Sequence, residues 1–146
     1  MKKVALIVAG GKGERMNADI PKQFLLLNNL PILMHTIKQF SHFEEIVLVL
    51  PKSQFDYWNG LCKNNNFTQI HILVEGGETR FHSVKNGLDK IDNTSVVAIH
   101  DGVRPLISTA LINNLVGETK SGRGVIPIIP VKNSIRKIEG ENSVHI

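Results

Sequence analysis

Only one cysteine, Cys62, occurs in the 146 residues, so an internal disulfide is impossible and a reducing cytoplasm is the expected compartment. Aromatic side chains are sparse too: six Phe, one Trp and one Tyr. No lysine- and arginine-rich run accompanies them, which disfavours a nucleic-acid surface. No apolar run approaches the roughly 18 residues of a membrane span. The run behind the two N-terminal lysines, Val4 to Ala9, ends in glycines instead of a cleavage segment, which argues against a signal peptide. The formal net charge is only +4, a mild excess that suits an anionic small molecule.

What is present is an alternation. Short apolar, β-branched runs occur at Val4–Val8, Ile46–Leu50, Ile70–Val74, Val96–Ile99 and Val125–Ile129. Runs that are apolar throughout suit parallel strands covered on both faces. Between them lie helical stripes: Leu33, Ile37 and Phe40; Phe55, Trp58 and Cys62; Val84, Leu88 and Ile91; Leu111, Ile112 and Leu115. Pro31, Ser53, Thr79 and Ser108 precede these stripes as first-turn or capping residues. The order β-α-β-α-β-α-β-α-β predicts an α/β fold with a doubly wound, mainly parallel sheet. The tail "SIRKIEGENSVHI" alternates apolar and polar residues about Glu139–Asn142 and predicts a β-hairpin with one exposed face. A nucleotide-binding unit over residues 1–130 and a hairpin arm beginning in 131–146 are the expected organisation.

Sites in such sheets lie beyond the carboxyl ends of the strands. The first such end reads "LIVAGGKGERM". Gly10, Gly11 and Gly13 can expose backbone N–H groups to phosphate oxygens, and Lys12 and Arg15 add full positive charges. Two familiar phosphate loops are excluded. The P-loop needs Lys followed by Ser or Thr, and Lys12 is followed by Gly13. The dinucleotide fingerprint needs a third glycine where Met16 stands, and the second strand ends "VLPK" without an acidic residue for a ribose. Met16 thereby disfavours a nicotinamide-dependent oxidoreductase. Of the six histidines only His100 falls at a strand end, with no second ligand at metal spacing, so it reads as structural and no zinc site is expected.

The stretch "AGGKGERM…IPKQF" resembles the nucleotidyltransferase signature, in which a glycine loop with a fixed arginine, here Arg15, is followed by a Pro-Lys pair, here Pro21 and Lys22. "EGGETRFHSVKNGL" (Glu75–Leu88) and "VAIHDGVRP" (Val97–Pro105) resemble the second and third motifs of the 2-C-methyl-D-erythritol 4-phosphate cytidylyltransferase family. "PVKNSIRKI" (Pro130–Ile138) resembles the segment leading into that family's dimer arm. The resemblance implies a Rossmann-like nucleotidyltransferase fold. It implies transfer of CMP from CTP to a sugar-alcohol phosphate with release of pyrophosphate, a divalent metal such as Mg2+, and a homodimer formed through the arm. By the same resemblance, Arg15 and Lys22 are the catalytic cations. Ala9, Gly10, Gly11, Lys12 and Gly13 hold the triphosphate. Gly76, Gly77 and Ser83 surround the cytosine, Asp101 binds nucleotide and metal, and Arg104 belongs to the same nucleotide motif. Val8–Gly11 reads "VAGG" where the family commonly has Pro-Ala-Ala-Gly.

The chemistry agrees with the residues. A phosphate monoester is already anionic near neutral pH, so it needs no general base, and no Ser-His-Asp or paired-carboxylate arrangement is evident. Its difficulty is repulsion: two like unit charges at 4 Å cost about 4 kcal/mol at an effective dielectric of 20. Lys12, Arg15, Lys22 and a metal on Asp101 would offset that repulsion. Family members continue past position 146, so this chain is expected to carry the nucleotide half, lack the acceptor half and turn over poorly by itself. Two other readings stay open: a ribitol-5-phosphate cytidylyltransferase, which shares the motifs, and a non-catalytic nucleotide-binding fragment.

Overall fold

The computed structural model describes residues 1–10, 20–93, 95–130, 136–139 and 142–145. In chain order its elements are β1 (Lys3–Val8), β2 (Leu26–Leu27), β3 (Leu30–Pro31), α1 (Ile32–Gln39), β4 (Glu45–Leu50), α2 (Phe55–Asn64), β5 (Ile72–Glu75), α3 (Arg80–Leu88), β6 (Val96–Asp101), α4 (Thr109–Glu118), β7 (Arg136–Glu139) and β8 (Asn142–His145). The main sheet runs β5-β4-β1-β6, and every pairing in it is parallel. From β1 the chain steps outward to β4 and β5, then crosses back to place β6 on the other side of β1. The sheet is therefore doubly wound, with its switch point between β1 and β6.

Side chains of a strand alternate between the two faces. Ala5, Ile7, Ile46, Leu48 and Leu50 meet Leu33 and Ile37 of α1, Trp58 of α2 and Ile112 of α4 on one face. Val4, Leu6, Val8, Val47, Val49 and Val74 form a second cluster on the other face, against Val84 of α3. Both faces are covered, which explains why the strand sequences are apolar throughout. Cys62 packs half-buried against the first cluster, and burial pushes its thiol pKa up to about 11, so it remains an unreactive thiol at neutral pH.

Two of the expected caps are formed: Thr79 Oγ1 accepts from the His82 N–H and Ser108 Oγ from the Leu111 N–H. Ser53 caps nothing. A single 3-10 turn over Lys52–Gln54 intervenes, and α2 starts at Phe55 with Gln54 at its cap position. Pro31 occupies the cap of α1 instead of its first turn. The tail hairpin is present, with Glu139 opposite Asn142.

Three further features differ from the sequence reading. The third strand starts at Ile72, because Ile70 is 86% exposed and has no face to bury. Val125–Ile129 forms no strand: Ile126, Ile128 and Ile129 are exposed, and no described strand pairs with the outer edge of β6. An apolar run becomes a strand only when a neighbour accepts its backbone hydrogen bonds. Here residues 124–127 instead border an apolar groove of about 920 Å³ beside β6 and α4. The third difference is the small β2–β3 hairpin, turned by Asn28 and Asn29 at φ 48° and 62°. Asparagine tolerates this left-handed region, and two such residues make the tight turn.

Gly87 lets α3 approach the sheet: a Cβ there would lie 2.3 Å from Leu6 Cδ1 and 3.0 Å from Val49 Cγ2, and both partners are fully buried. Gly87→Val is therefore expected to lower unfolding free energy by about 1–3 kcal/mol through overpacking. Urea unfolding followed by circular dichroism measures it, and an unchanged midpoint would show that α3 can lift off the sheet freely.

Candidate functional site

Three of the four loops at the carboxyl edge, those after β1, β5 and β6, begin by extending the sheet's own ladder. The Ala9 N–H donates to Val49 O, the Gly76 N–H to Leu50 O and the Gly102 N–H to Val8 O, each at 2.9 Å. In the β1–β6 register Val8 lies opposite Asp101. Ala9, Gly10, Gly76 and the Asp101–Gly102 pair are thus brought to one edge of the sheet at the switch point. The approach is close: a Cβ on Gly102 would lie 2.7 Å from Ala9 Cβ.

Ser83 ties two of these segments together. It is 4% exposed, and its Oγ accepts from the Gly77 N–H at 3.0 Å. A Cβ on Gly76 would come within 3.2 Å of that oxygen, and one on Gly10 within 3.7 Å. Gly10, Gly76 and Gly77 therefore surround a single hydroxyl, that of Ser83. Gly77 tolerates no larger residue without rearrangement, since an added Cβ would meet His82 Cβ at 2.3 Å.

Asp101 lies at the end of β6 between two guanidinium groups. Arg80 Nη2 and Nε donate to its Oδ1 at 2.9 and 3.3 Å, and Arg104 Nε donates to its Oδ2 at 2.9 Å. Partial burial pulls the Asp101 pKa upward, but the hydrogen bonds and charges of Arg80 and Arg104 outweigh it and hold the carboxyl below its ordinary range. Both arginines are largely exposed, so they present positive charge to solvent at the mouth of the site. His100 is structural as expected: its Nε2 hydrogen-bonds with Arg104 O at 3.0 Å and its ring contacts Phe40.

Lys22 is half-buried at the start of a single 3-10 turn over Lys22–Phe24, and it forms no ion pair among the described residues. Gln23, the next residue, donates from Nε2 to Ala9 O at 2.9 Å, so Lys22 is tethered beside the end of β1. Gly11, Lys12, Gly13 and Arg15 lie outside the described residues.

Among the described residues no three His, Cys, Asp or Glu side chains cluster as a metal cage. Mg2+ does not need one, because it is commonly held by one or two carboxylates together with substrate phosphates. Asp101 has the right chemistry for that arrangement, although a cation there would share the carboxylate with Arg80 and Arg104.

Two site residues escaped the sequence reading. Arg80 stands inside the "GGETRFHSV" motif, one position after the capping Thr79, and its pairing with Asp101 depends on a crossover that no local pattern reveals. Gln23 stands inside "IPKQF" between a lysine and a buried phenylalanine. Its adjacency to the lysine was the available signal.

The family model of 2-C-methyl-D-erythritol 4-phosphate cytidylyltransferase matches residues 3–145. The protein of that name from Bacteroides fragilis is 47% identical over 146 residues, which take in 98% of this chain and 67% of the relative. The one from Porphyromonas gingivalis is 49% identical over 136 residues, covering 92% and 61%. The crystal structure of 4-diphosphocytidyl-2C-methyl-D-erythritol synthase from Anaerococcus prevotii matches with a TM-score of 0.80 at 26% identity, covering 99% of this chain and 62% of that one. The chain spans about two thirds of the length of the curated relatives it matches.

The arginine clamp predicts an acid signature. A carboxyl with a depressed folded-state pKa contributes stability above its unfolded value of about 3.9, and that contribution is lost as pH falls through the folded pKa. Carboxyl NMR should therefore find Asp101 titrating below the ordinary aspartate range, and Arg80→Ala should move it upward. An unshifted Asp101 in the wild-type chain would mean that the clamp does not persist in solution.

Proposed function

The chain belongs to the 2-C-methyl-D-erythritol 4-phosphate cytidylyltransferase family, and on that premise we propose that it supplies the nucleotide-binding part of an enzyme that transfers CMP from CTP to 2-C-methyl-D-erythritol 4-phosphate. The observation that supports this reading is the convergence of Gly10, Gly76, Gly77, Ser83 and Asp101 at the switch point, with Lys22 tethered to the same strand end.

The acceptor's phosphate oxygen attacks the α-phosphorus of CTP. One P–O bond forms, the bond to the bridging oxygen breaks, and pyrophosphate leaves with the electron pair. No proton has to be removed from the nucleophile, so the residues act by position and charge. Ala9 to Gly13 hold the triphosphate, with Lys12 adding positive charge. Arg15 and Lys22 stabilise the charge that develops around the α-phosphorus. Gly76, Gly77 and Ser83 enclose the cytosine, and their glycine backbones allow the close approach that a flat base requires. Asp101 would hold Mg2+, which supplies charge neutralisation on the triphosphate when bound. Arg104, clamped to Asp101, contributes positive charge at the nucleotide. In a chain of the relatives' length, residues 131–146 would begin the arm of a homodimer. The single cysteine fits a cytoplasmic location.

Pyrophosphate release with CTP, Mg2+ and 2-C-methyl-D-erythritol 4-phosphate is the direct assay, made in a chain extended to the relatives' length. Release only with ribitol 5-phosphate would reassign the acceptor. In that assay Arg15→Ala and Lys22→Ala are each expected to lower kcat on the order of a hundredfold or more, with a much smaller change in CTP affinity. Near-normal turnover in both variants would remove their catalytic role. In the 146-residue chain a thermal shift with CTP and Mg2+ is expected without comparable turnover. No shift with any nucleotide would sink the nucleotide-binding reading.

A further inference from the structure

Residues 10–21 connect the end of β1 to the turn that carries Lys22. The two flanks of this segment meet at one buried side chain. We propose that Gln23 is a positioning residue for phosphate binding: its amide clamps those flanks together and so sets where the strand end at Ala9–Gly10 stands relative to Lys22. This rests on the nucleotide-site reading above.

The geometry carries the proposal in three steps. Gln23 is 1% exposed, and its Nε2 donates to Ala9 O at 2.9 Å and to Gln54 Oε1 at 2.8 Å. An amide nitrogen has two protons, and both are used. The backbone acceptor Ala9 O also fixes which way the amide faces, since its oxygen could not point there.

Each partner of the amide is itself fixed. Ala9 is held to β4 through its N–H on Val49 O. Gln54 belongs to the 3-10 turn at the carboxyl end of β4, closed by its own N–H on Pro51 O at 2.9 Å. The clamp therefore refers the Lys22 turn to two adjacent strand ends.

The other side of the turn is anchored by Phe24, which is 3% exposed, with its ring centroid 5.1 Å from Tyr57 and 6.2 Å from Trp58 on α2. Lys22 is consequently followed by two buried residues with different tasks. Phe24 fills volume, which any large apolar side chain could do. Gln23 fixes a direction, which requires donors. A buried amide is costly unless it is fully paired, so an apolar residue would be the simpler choice if the position served packing alone.

The test separates triphosphate binding from base binding. Wild-type chain and Gln23→Met, which keeps the volume and removes both donors, are titrated with CTP plus Mg2+ and with cytidine by calorimetry. The wild type is expected to prefer CTP. Gln23→Met is expected to lose CTP affinity by on the order of tenfold or more, because small displacements of charged groups have large effects, while cytidine affinity is unchanged. Gln54→Leu, which leaves the bond to Ala9 intact, should shift CTP affinity in the same direction by a smaller factor. It serves as the readout if circular dichroism shows Gln23→Met unfolded. A variant that keeps the wild-type preference for CTP overturns the proposal and leaves the nucleotide site standing. Equal loss of CTP and cytidine overturns it in favour of a general structural role. A wild-type chain that binds neither ligand overturns the nucleotide reading and this inference with it.

Discussion

The site depends on one parallel pairing, that of β1 with β6. These strands are distant in sequence, and the chain has already run outward through β4 and β5 before it returns. Because the return lands on the other side of β1, the ends of β1 and β6 meet at a switch point, where open α/β sheets place their ligand crevice. The register Val8 opposite Asp101 then decides what lines that crevice. A shift of one residue would turn the Asp101 side chain to the opposite face and break its contact with Arg80. The Gly102 N–H on Val8 O and the Thr36 hydroxyl on Gly102 O, at 2.8 Å, hold that register at its end.

Positive and negative charge are distributed accordingly. The proposed reaction joins two anions, so it needs cations that are near the phosphorus yet held apart from each other. Arg80 and Arg104 come from different elements, α3 and the loop after β6, and each pairs with a different oxygen of one carboxylate. That carboxylate screens their mutual repulsion and leaves the trio with a net positive charge. Lys22 stands on a different segment, in a turn tethered to Ala9 by a neutral amide instead of a counter-ion. A carboxylate at position 23 would neutralise the lysine next to it and could not donate to Ala9 O. Glutamine supplies the donor without that charge.

Sequence pattern revealed what local chemistry determines. The apolar runs of β1 and β4 announced buried parallel strands because both their faces meet helices. Thr79 and Ser108 announced helix starts because a cap bond spans only three residues. The family resemblance grouped the glycines at 76 and 77 with Ser83, and the fold brings the three together around the Ser83 hydroxyl. The pattern misled at Val125–Ile129, where five apolar residues have the composition of a strand but the described structure offers them no partner. It was silent on the roles of Gln23 and Arg80, whose partners Ala9 and Asp101 are reached only through the loop and the crossover. It also passed over Asn28–Asn29, although paired asparagines between leucines carry the chemistry of a tight hairpin turn.

The two walls of the crevice are not equally supported. The strands β1 and β4 are almost wholly buried, whereas in β6 Val96, Val97 and Ala98 are half-buried and Ile99 is 46% exposed. Elements with fewer buried apolar contacts open at lower free energy than the core around them. Among the described residues the β6 wall is therefore the less buried one, and it carries Asp101. The Arg80–Asp101 pair is the tie across this difference, because α3 packs on the well-buried side through Gly87 against Leu6 and Val49. An exposed ion pair adds little to global stability, but it can still fix the separation of two walls that share a firm strand between them. The placement of Asp101 is thus set jointly by backbone pairing to β1 and by a guanidinium from α3, and a ligand that draws Arg80 away would loosen one of those two restraints while leaving the other in place.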